Sequence, residues 1–365
     1  MDQMIFEEHP SESGKKVAVA RLNAPRALNS LSLDMINALY EKLIDWEHDD
    51  DIACIWLEGE GEKAFCAGGD VVQMYKSMQP LGERNSFTED YFAAEYRLDY
   101  LIHVYEKPVI CWGHGVVMGG GMGLMQGASQ RVVTEKSRLA MPEITIGLYP
   151  DVGGSWFLNR TPGHSGLFAG LTGINLGAGD ALFMGLADVF IHAERKPAVF
   201  KTLCSLSLTG HENADAAMIH RLLREESPDE SPDSPVREHL DLINSICDRA
   251  TLEEVAEALQ HAHHHDEWMR GAVSKFERGS ATTAWLVWQQ LQQAKHLSLA
   301  EIFRMEWCMS TQCAMHADFR EGVRALLIDK DGDPNFRYKK VADVPESYIE
   351  GFFESPVEAH PLADL

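Results

Sequence analysis

Phe65-Cys66-Ala67-Gly68-Gly69-Asp70 and Met118-Gly119-Gly120-Gly121-Met122-Gly123 decide the reading of this chain. Each follows a short apolar run and opens a new element, so each reads as a glycine turn at a strand end. Glycine lets the backbone approach a ligand closely and aim its own N–H groups at it. Two such turns converging on one carbonyl oxygen would form an oxyanion hole, whose preset donors stabilise developing negative charge without reorganising. If Gly120 lies at the mouth of a helix over 121–126, the helix adds roughly half a positive charge to the same effect. The plainer reading is a pair of tight turns or points of close packing.

Two carboxylates follow the second turn. Glu143 comes after Pro142, which fixes the backbone, and its neighbours Leu139, Met141, Ile144 and Ile146 are apolar, a setting that raises a carboxyl pKa and poises it as base or nucleophile. Asp151 sits in Tyr149-Pro150-Asp151-Val152-Gly153-Gly154, a second tight turn. A helix N-cap is the plain alternative for Asp151. Two carboxylates aimed into one apolar site is the sharper one.

Working outward, Val17–Leu22, Ile52–Leu57, Val109–Trp112 and Arg131–Thr134 are short, apolar and β-branched, and each runs into turn residues, the pattern of strands. A helix lies between the first two, with Ser32 as its cap and Leu33, Ile36, Leu39, Tyr40 and Leu43 on one face. Another runs from Tyr91 to Glu106 and stops at Lys107-Pro108. Strand, turn and helix in repeating order define an α/β fold with its special turns at strand ends, where such folds build their sites. Beyond residue 195 strand-like runs give way to amphipathic segments such as Leu252–Leu259 and Ala284–Leu291. The spacing thus predicts a catalytic domain over 1–195 and a helical C-terminal region over 196–365. Ser298 and Glu301 form a capping box for a helix carrying Ile302, Met305, Met309 and Cys313. The Pro- and acid-rich stretch 225–235 reads as a solvated, mobile connection.

The chain has 365 residues, 56 acidic against 32 basic, for a formal charge of −24. That field repels phosphodiesters and anionic lipid, so nucleic acid and membrane are not expected partners. It opposes an anionic substrate too, so local cations must offset it, and Arg21, Arg26 and Lys63 are candidates. Seven cysteines, odd in number and mostly inside apolar runs, read as buried hydrophobes in a reducing compartment. The first ten residues carry neither an apolar signal core nor an arginine-rich amphipathic pattern, and no apolar run is long enough to span a bilayer, so a soluble, cytoplasmic protein is expected. His261, His263, His264 and His265 with Asp266 suggest a metal at first, but adjacent helical histidines point in different directions, and no metal is expected.

Asn23-Ala24-Pro25-Arg26-Ala27-Leu28-Asn29, Ala64 to Asp70, Gly113 to Gly121 and Met141-Pro142-Glu143 together resemble the crotonase (enoyl-CoA hydratase/isomerase) superfamily. Within it, the stretch from Pro142 to Gly154 and the tail from Ala317 to Asp331 are similar to the 3-hydroxyisobutyryl-CoA hydrolase subfamily. The resemblance spans nearly the whole chain. It implies a ββα spiral core followed by the helical region, Glu143 and Asp151 as catalytic carboxylates, and the amides of Gly69 and Gly120 as the oxyanion hole. It also implies a substrate contact at Glu95, and coenzyme A held by Arg26, Ala27 and Leu28 with Ala64, Phe65 and Ala67. The substrate implied is an acyl-CoA, with no separate cofactor, and trimers or hexamers are suggested unless the helical region covers that surface. Where hydratases carry a second glutamate after the glycines, this chain has Gly123, which favours thioester hydrolysis over an enoyl-CoA hydratase or isomerase. A non-catalytic acyl-CoA binder is the third reading. The acyl group stays open, since 3-hydroxyisobutyryl and 3-hydroxypropionyl units differ by one methyl, worth about 1 to 3 kcal/mol.

Overall fold

The computed structural model describes residues 3–78 and 81–365, and among these described residues short apolar runs stopped by glycine or polar turns build nine strands. They are β1 (Met4–Pro10), β2 (Lys16–Leu22), β3 (Ile52–Gly59), β4 (Ala64–Cys66), β5 (Val109–Gly113), β6 (Val116–Met118), β7 (Gln130–Val133), β8 (Arg138–Ala140) and β9 (Val189–Phe190). All precede residue 195. The larger sheet has the order β1-β2-β3-β5-β7-β9, antiparallel only between β1 and β2, and the smaller has the order β4-β6-β8. A large-sheet strand is therefore followed in sequence by a small-sheet strand three times over, at β3–β4, β5–β6 and β7–β8. The first glycine turn follows β4, the second follows β6, and Pro142-Glu143 follows β8.

The chain divides into two compact units, each drawn from separate stretches. The first comprises Met1–Gly69, Leu98–Leu139 and Leu176–Ser234. Its parallel strands have both faces covered, which is why they read as continuous apolar runs rather than alternations. Alternate residues Val17 and Val19, Cys54 and Trp56, and Ile110 and Trp112 share one face and pack with Val199, Leu203, Ile219, Leu222 and Leu223. Those partners come from the helices Lys196–Cys204 and Glu212–Glu226. Trp56 and Trp112 stack with centroids 5.5 Å apart. Burying one such side chain stabilises by roughly 1.5 to 3 kcal/mol. Ser32 caps the helix Leu33–Glu47 through the Met35 N–H, and that helix buries Met35, Ile36, Leu39, Leu43 and Trp46.

The acidic stretch 225–235 departs from the expected solvated connection at its far end. Ser234 is buried and donates to Asp180 Oδ1 at 2.8 Å. A Cβ on Gly179 would lie 2.2 Å from the Asp233 carbonyl oxygen, so the backbones touch there. Proline and acid content describe the exposed residues Asp229 to Ser231 and miss this anchor.

The second unit comprises Asp70–Arg97, Ala140–Asn175 and Pro235–Leu365. It is mainly helical, and its longest helices beyond residue 250 are Leu252–Ala262, Glu267–Arg278, Ala281–Gln293 and Leu299–Met315. The Ser298–Glu301 capping box forms as the sequence predicts. The buried face of the following helix differs in one respect: Met305 is only half-buried, and the neighbouring Glu306 is buried instead.

Candidate active site

In the first unit the two glycine turns meet backbone to backbone. Gly68 has φ +105°, a conformation open to glycine, and a Cβ there would stand 3.3 Å from the Met118 carbonyl and 3.6 Å from the Gly120 nitrogen. A Cβ on Gly121 would lie 2.3 Å from the Cys66 carbonyl oxygen. Parallel pairing of β4 with β6 causes this, because parallel neighbours end on the same side and release their turns together. The helix begins at Gly120, one residue before the expected start, with Gly119 as its cap. A first-turn amide has no carbonyl one turn back to accept it. Among the described residues, no group accepts the N–H of Gly69 or of Gly120.

The two stretches expected to hold coenzyme A are joined through Asn29. Its buried side chain accepts from the Ala24 amide at 2.9 Å and donates to the carbonyls of Glu60 and Ala64 at 3.0 and 2.9 Å. The Ala67 amide donates to the Leu28 carbonyl at 3.0 Å. Leu28 and Asn29 both take positive φ, at 53° and 56°, so the chain turns sharply after the short helix Pro25–Ala27. Arg26 and Ala27 are exposed, whereas Ala64 and Phe65 are buried and the Phe65 N–H pairs with the His114 carbonyl. His114 Nε2 also lies 2.8 Å from the Gly61 carbonyl, which ties down the loop before β4. Of the cations weighed for coenzyme A, Arg21 is spent on carboxylates: its Nε donates to Glu58 at 2.6 Å, with Glu7 and Glu60 near. Among the described residues Arg26 and Lys63 form no ion pair.

In the second unit three carboxylic acids are buried together. Glu143 opens the short 3-10 helix Glu143–Thr145 and is 4% exposed, Asp151 is 4% exposed, and Glu95 is 2% exposed. Burial drives the Glu143 and Glu95 carboxyls well above the ordinary range, and the Asp151 charge pushes each further. Burial pushes Asp151 itself up to about 6, against the pull of a hydrogen bond from Tyr96. Like charges this close cannot all be present, so protons are shared across the group. Among the described residues Glu143 Oε2 and Glu95 Oε1 have no hydrogen-bond partner. Asp151 is not a side-chain cap: the helix Gly154–Phe157 is capped by Gly153, and the Asp151 carbonyl accepts the Gly154 N–H.

Four residues around Asp151 were not among the sequence candidates. Tyr96 donates its phenolic proton to Asp151 Oδ2 at 2.6 Å, and its oxygen lies 2.5 Å from Ser310 Oγ. Tyr149 donates to the Glu306 carbonyl at 2.6 Å, and its oxygen is 2.8 Å from Ser310. The Glu306 carboxylate accepts from the amides of Gly153 and Ser155 at 2.7 and 2.9 Å. An acid four positions after Ile302 and four before Ser310, on a helix with one apolar face, was the available signal.

The histidine run closes the helix Leu252–Ala262, and His261, His264 and His265 are exposed there. Only His265 of that run faces Asp266, at 3.3 Å, and His239, the cap residue before the helix Leu240–Cys247, faces it at 2.5 Å. One ligand atom from each of these three lies within 4.8 Å of the others, a grouping of the kind that can hold a metal. The Asp266 carboxylate also caps its helix through the Met269 amide. All seven cysteines are free, six of them buried. Among the described residues no helix is long and apolar enough to cross a membrane.

Strand order, glycine turns and buried acids together match one family, and the chain belongs to it: the enoyl-CoA hydratase/isomerase family, whose model matches residues 17–353. The chain is similar to the mitochondrial 3-hydroxyisobutyryl-CoA hydrolase of Gallus gallus, 36% identical over 337 residues, with 92% of this chain and 86% of that protein covered. The Homo sapiens protein of the same name is 35% identical over the same shares. Among solved structures it is similar to a carnitinyl-CoA dehydratase from Mycobacterium thermoresistibile, with a TM-score of 0.87, 31% identity, and 99% of this chain and 98% of that one covered. An enoyl-CoA hydratase from Rhodobacter sphaeroides 2.4.1 follows with a TM-score of 0.83, 29% identity, and coverage of 97% and 98%.

Proposed function

We propose that this protein hydrolyses the thioester of 3-hydroxyisobutyryl-CoA, giving 3-hydroxyisobutyrate and free coenzyme A, a step of valine degradation. The observation that carries the reading is Glu143: a buried carboxyl with one oxygen unpartnered among the described residues, close enough to Asp151 for that charge to raise its pKa further. Gly123, inside the helix Gly120–Gly127, removes the acid that hydration needs from its usual place. The names of the relatives agree with hydrolysis.

In this reading the amides of Gly69 and Gly120 hold the acyl oxygen while Glu143 carries the reaction. By one route a water gives its proton to Glu143 as its oxygen bonds the carbonyl carbon. By the other the Glu143 carboxylate bonds that carbon, and water opens the mixed anhydride. Either way the carbon–sulfur bond breaks, and coenzyme A leaves as a thiolate that takes up a proton. Losing one preset donor to the oxyanion costs on the order of 3 kcal/mol of barrier. Asp151 positions the water or the substrate hydroxyl, Glu95 contacts the substrate, and Arg26 with Lys63 meets the coenzyme A phosphates. No separate cofactor takes part.

Thiol release from a panel of 3-hydroxyacyl-CoA esters, run beside crotonyl-CoA absorbance, tests the proposal. Coenzyme A release without loss of the crotonyl double bond supports it. Consumption of the double bond makes the protein a hydratase, and binding without turnover makes it a carrier. A single turnover in isotopically labelled water separates the two routes: label in the Glu143 carboxylate marks the anhydride, label only in the acid product marks direct attack.

A further inference from the structure

The turn that presents Asp151 is held in a conformation its own sequence disfavours. Val152 has φ +53°, a left-handed backbone that a β-branched residue rarely adopts, and Gly153 follows at φ +86°. Such a turn persists only where its surroundings over-determine it. Gln290 donates to the Pro150 carbonyl at 3.0 Å, and the helix Leu299–Met315 supplies two further restraints. Glu306, with no exposed surface, accepts from the Gly153 and Ser155 amides, the second and fourth residues after Asp151. Two hydrogen bonds from backbone N–H groups to the two oxygens of a single buried carboxyl fix the path of the turn as well as its place.

Ser310, one helical turn further along and also fully buried, governs the other side of Asp151. Tyr149 has one hydroxyl proton, and it goes to the Glu306 carbonyl. Tyr96 has one, and it goes to Asp151. The Ser310 proton is therefore the one left for a tyrosine oxygen, and with its Oγ 2.5 Å from Tyr96 and 2.8 Å from Tyr149 the serine fixes where the Tyr96 hydroxyl sits beside the Asp151 carboxylate.

We infer that Glu306 and Ser310, on the helix Leu299–Met315, are positioning residues for Asp151: the first holds the turn that carries it, and the second seats the hydroxyl that donates to its carboxylate. The inference rests on the hydrolase reading, in which Asp151 acts on the substrate. Neither residue touches the substrate itself. A displacement of about 1 Å at a positioned group can cost on the order of a hundredfold in rate.

The test is a set of double-mutant cycles on the full chain, reading kcat and KM for 3-hydroxyisobutyryl-CoA with melting temperature as a check on folding. Glu306→Gln presents an N–H₂ where one of the two amides needs an acceptor. Ser310→Ala deletes a single oxygen and keeps the fold testable should Glu306→Gln not accumulate. Each is expected to lower kcat by about tenfold or more with KM within about twofold, because substrate binding is left alone. In an Asp151→Asn background each is expected to cost less than about twofold, because the group they position has gone. A folded Ser310→Ala or Glu306→Gln with wild-type kcat overturns the inference, and so does a full loss that persists on top of Asp151→Asn. An Asp151→Asn variant that hydrolyses at the wild-type rate is a different result: it removes the role of Asp151 and takes the inference down with it.

Discussion

Tyr96 Oη and Asp151 Oδ2 lie 2.6 Å apart in a buried setting, with the tyrosine as donor. That hydrogen bond favours the ionised carboxyl and opposes the burial that pushes Asp151 up to about 6.

Tyr96→Phe removes the donor and leaves burial unopposed, so the Asp151 pKa rises. An acid with a raised pKa stays protonated further into the neutral range, so the acid limb of kcat/KM moves to higher pH. A hydrogen bond to a charged group is worth about 1.5 to 3 kcal/mol, which places the displacement on the order of one pH unit or more. A pH–rate profile of the variant with an unmoved acid limb would separate Asp151 from the titration that governs activity.

Glu143, Glu95 and Glu306 all bind protons more tightly in the fold than in the unfolded chain, Glu306 up to about 8 and the other two well above 4.5. Burial is the first cause in each case. The folded state thus holds more protons between about pH 4.5 and 8, so stability falls as pH rises through that window. Each such acid contributes a slope of about 1.4 kcal/mol per pH unit while it is protonated in the fold and ionised outside it. Glu143→Gln, which carries no charge to bury, is expected to melt near the wild type at low pH and above it as the pH rises past the ordinary glutamate value. Parallel melting curves for the two proteins across that range would contradict the assignment of a buried, proton-retaining Glu143.

Gly121 and Gly271 offer opposite outcomes from the same substitution. Gly121→Ala forces a methyl within 2.3 Å of the Cys66 carbonyl oxygen, a backbone atom that cannot step aside. Overpacking of this kind costs about 1 to 3 kcal/mol, and because it drives the two glycine turns apart, kcat is expected to fall with it. Gly271, in the helix Glu267–Arg278, has nothing within 4 Å of a Cβ. Gly271→Ala is expected to raise stability by about 0.5 to 1 kcal/mol with unchanged kinetics. Thermal melts with steady-state assays of both variants check the pair.

Four strands of the larger sheet (β2, β3, β5 and β7), the two glycine turns and several long helices were legible because each depends on local rules: β-branched runs, glycine at positive φ, serine caps. The short strands β4, β6, β8 and β9 and the partly polar β1 carried no such signal. The burial of Glu143 was legible for the same reason, through its apolar neighbours. What could not be read was any relation made by distant segments. Glu306 stands 155 positions after Asp151 in the chain, and its hold on Gly153 and Ser155 has no local signature beyond an acid on an apolar helix face. The commitment of Arg21 to Glu58 depends on the register of β2 against β3, which pairs those two residues directly. His239 joins His265 and Asp266 from the cap of the helix Leu240–Cys247, which the histidine run does not include. The discontinuous units likewise follow from which helices cover the large sheet, and the change of texture near residue 195 marks only where strands stop.

Thiol release from 3-hydroxyisobutyryl-CoA by the wild type and by Glu143→Gln, measured side by side with the affinity of each for the ester, bears most directly on the role given to this carboxyl. The account expects steady coenzyme A release by the wild type, almost none by the variant, and comparable binding by both. A folded Glu143→Gln protein that keeps most of the hydrolysis would contradict it.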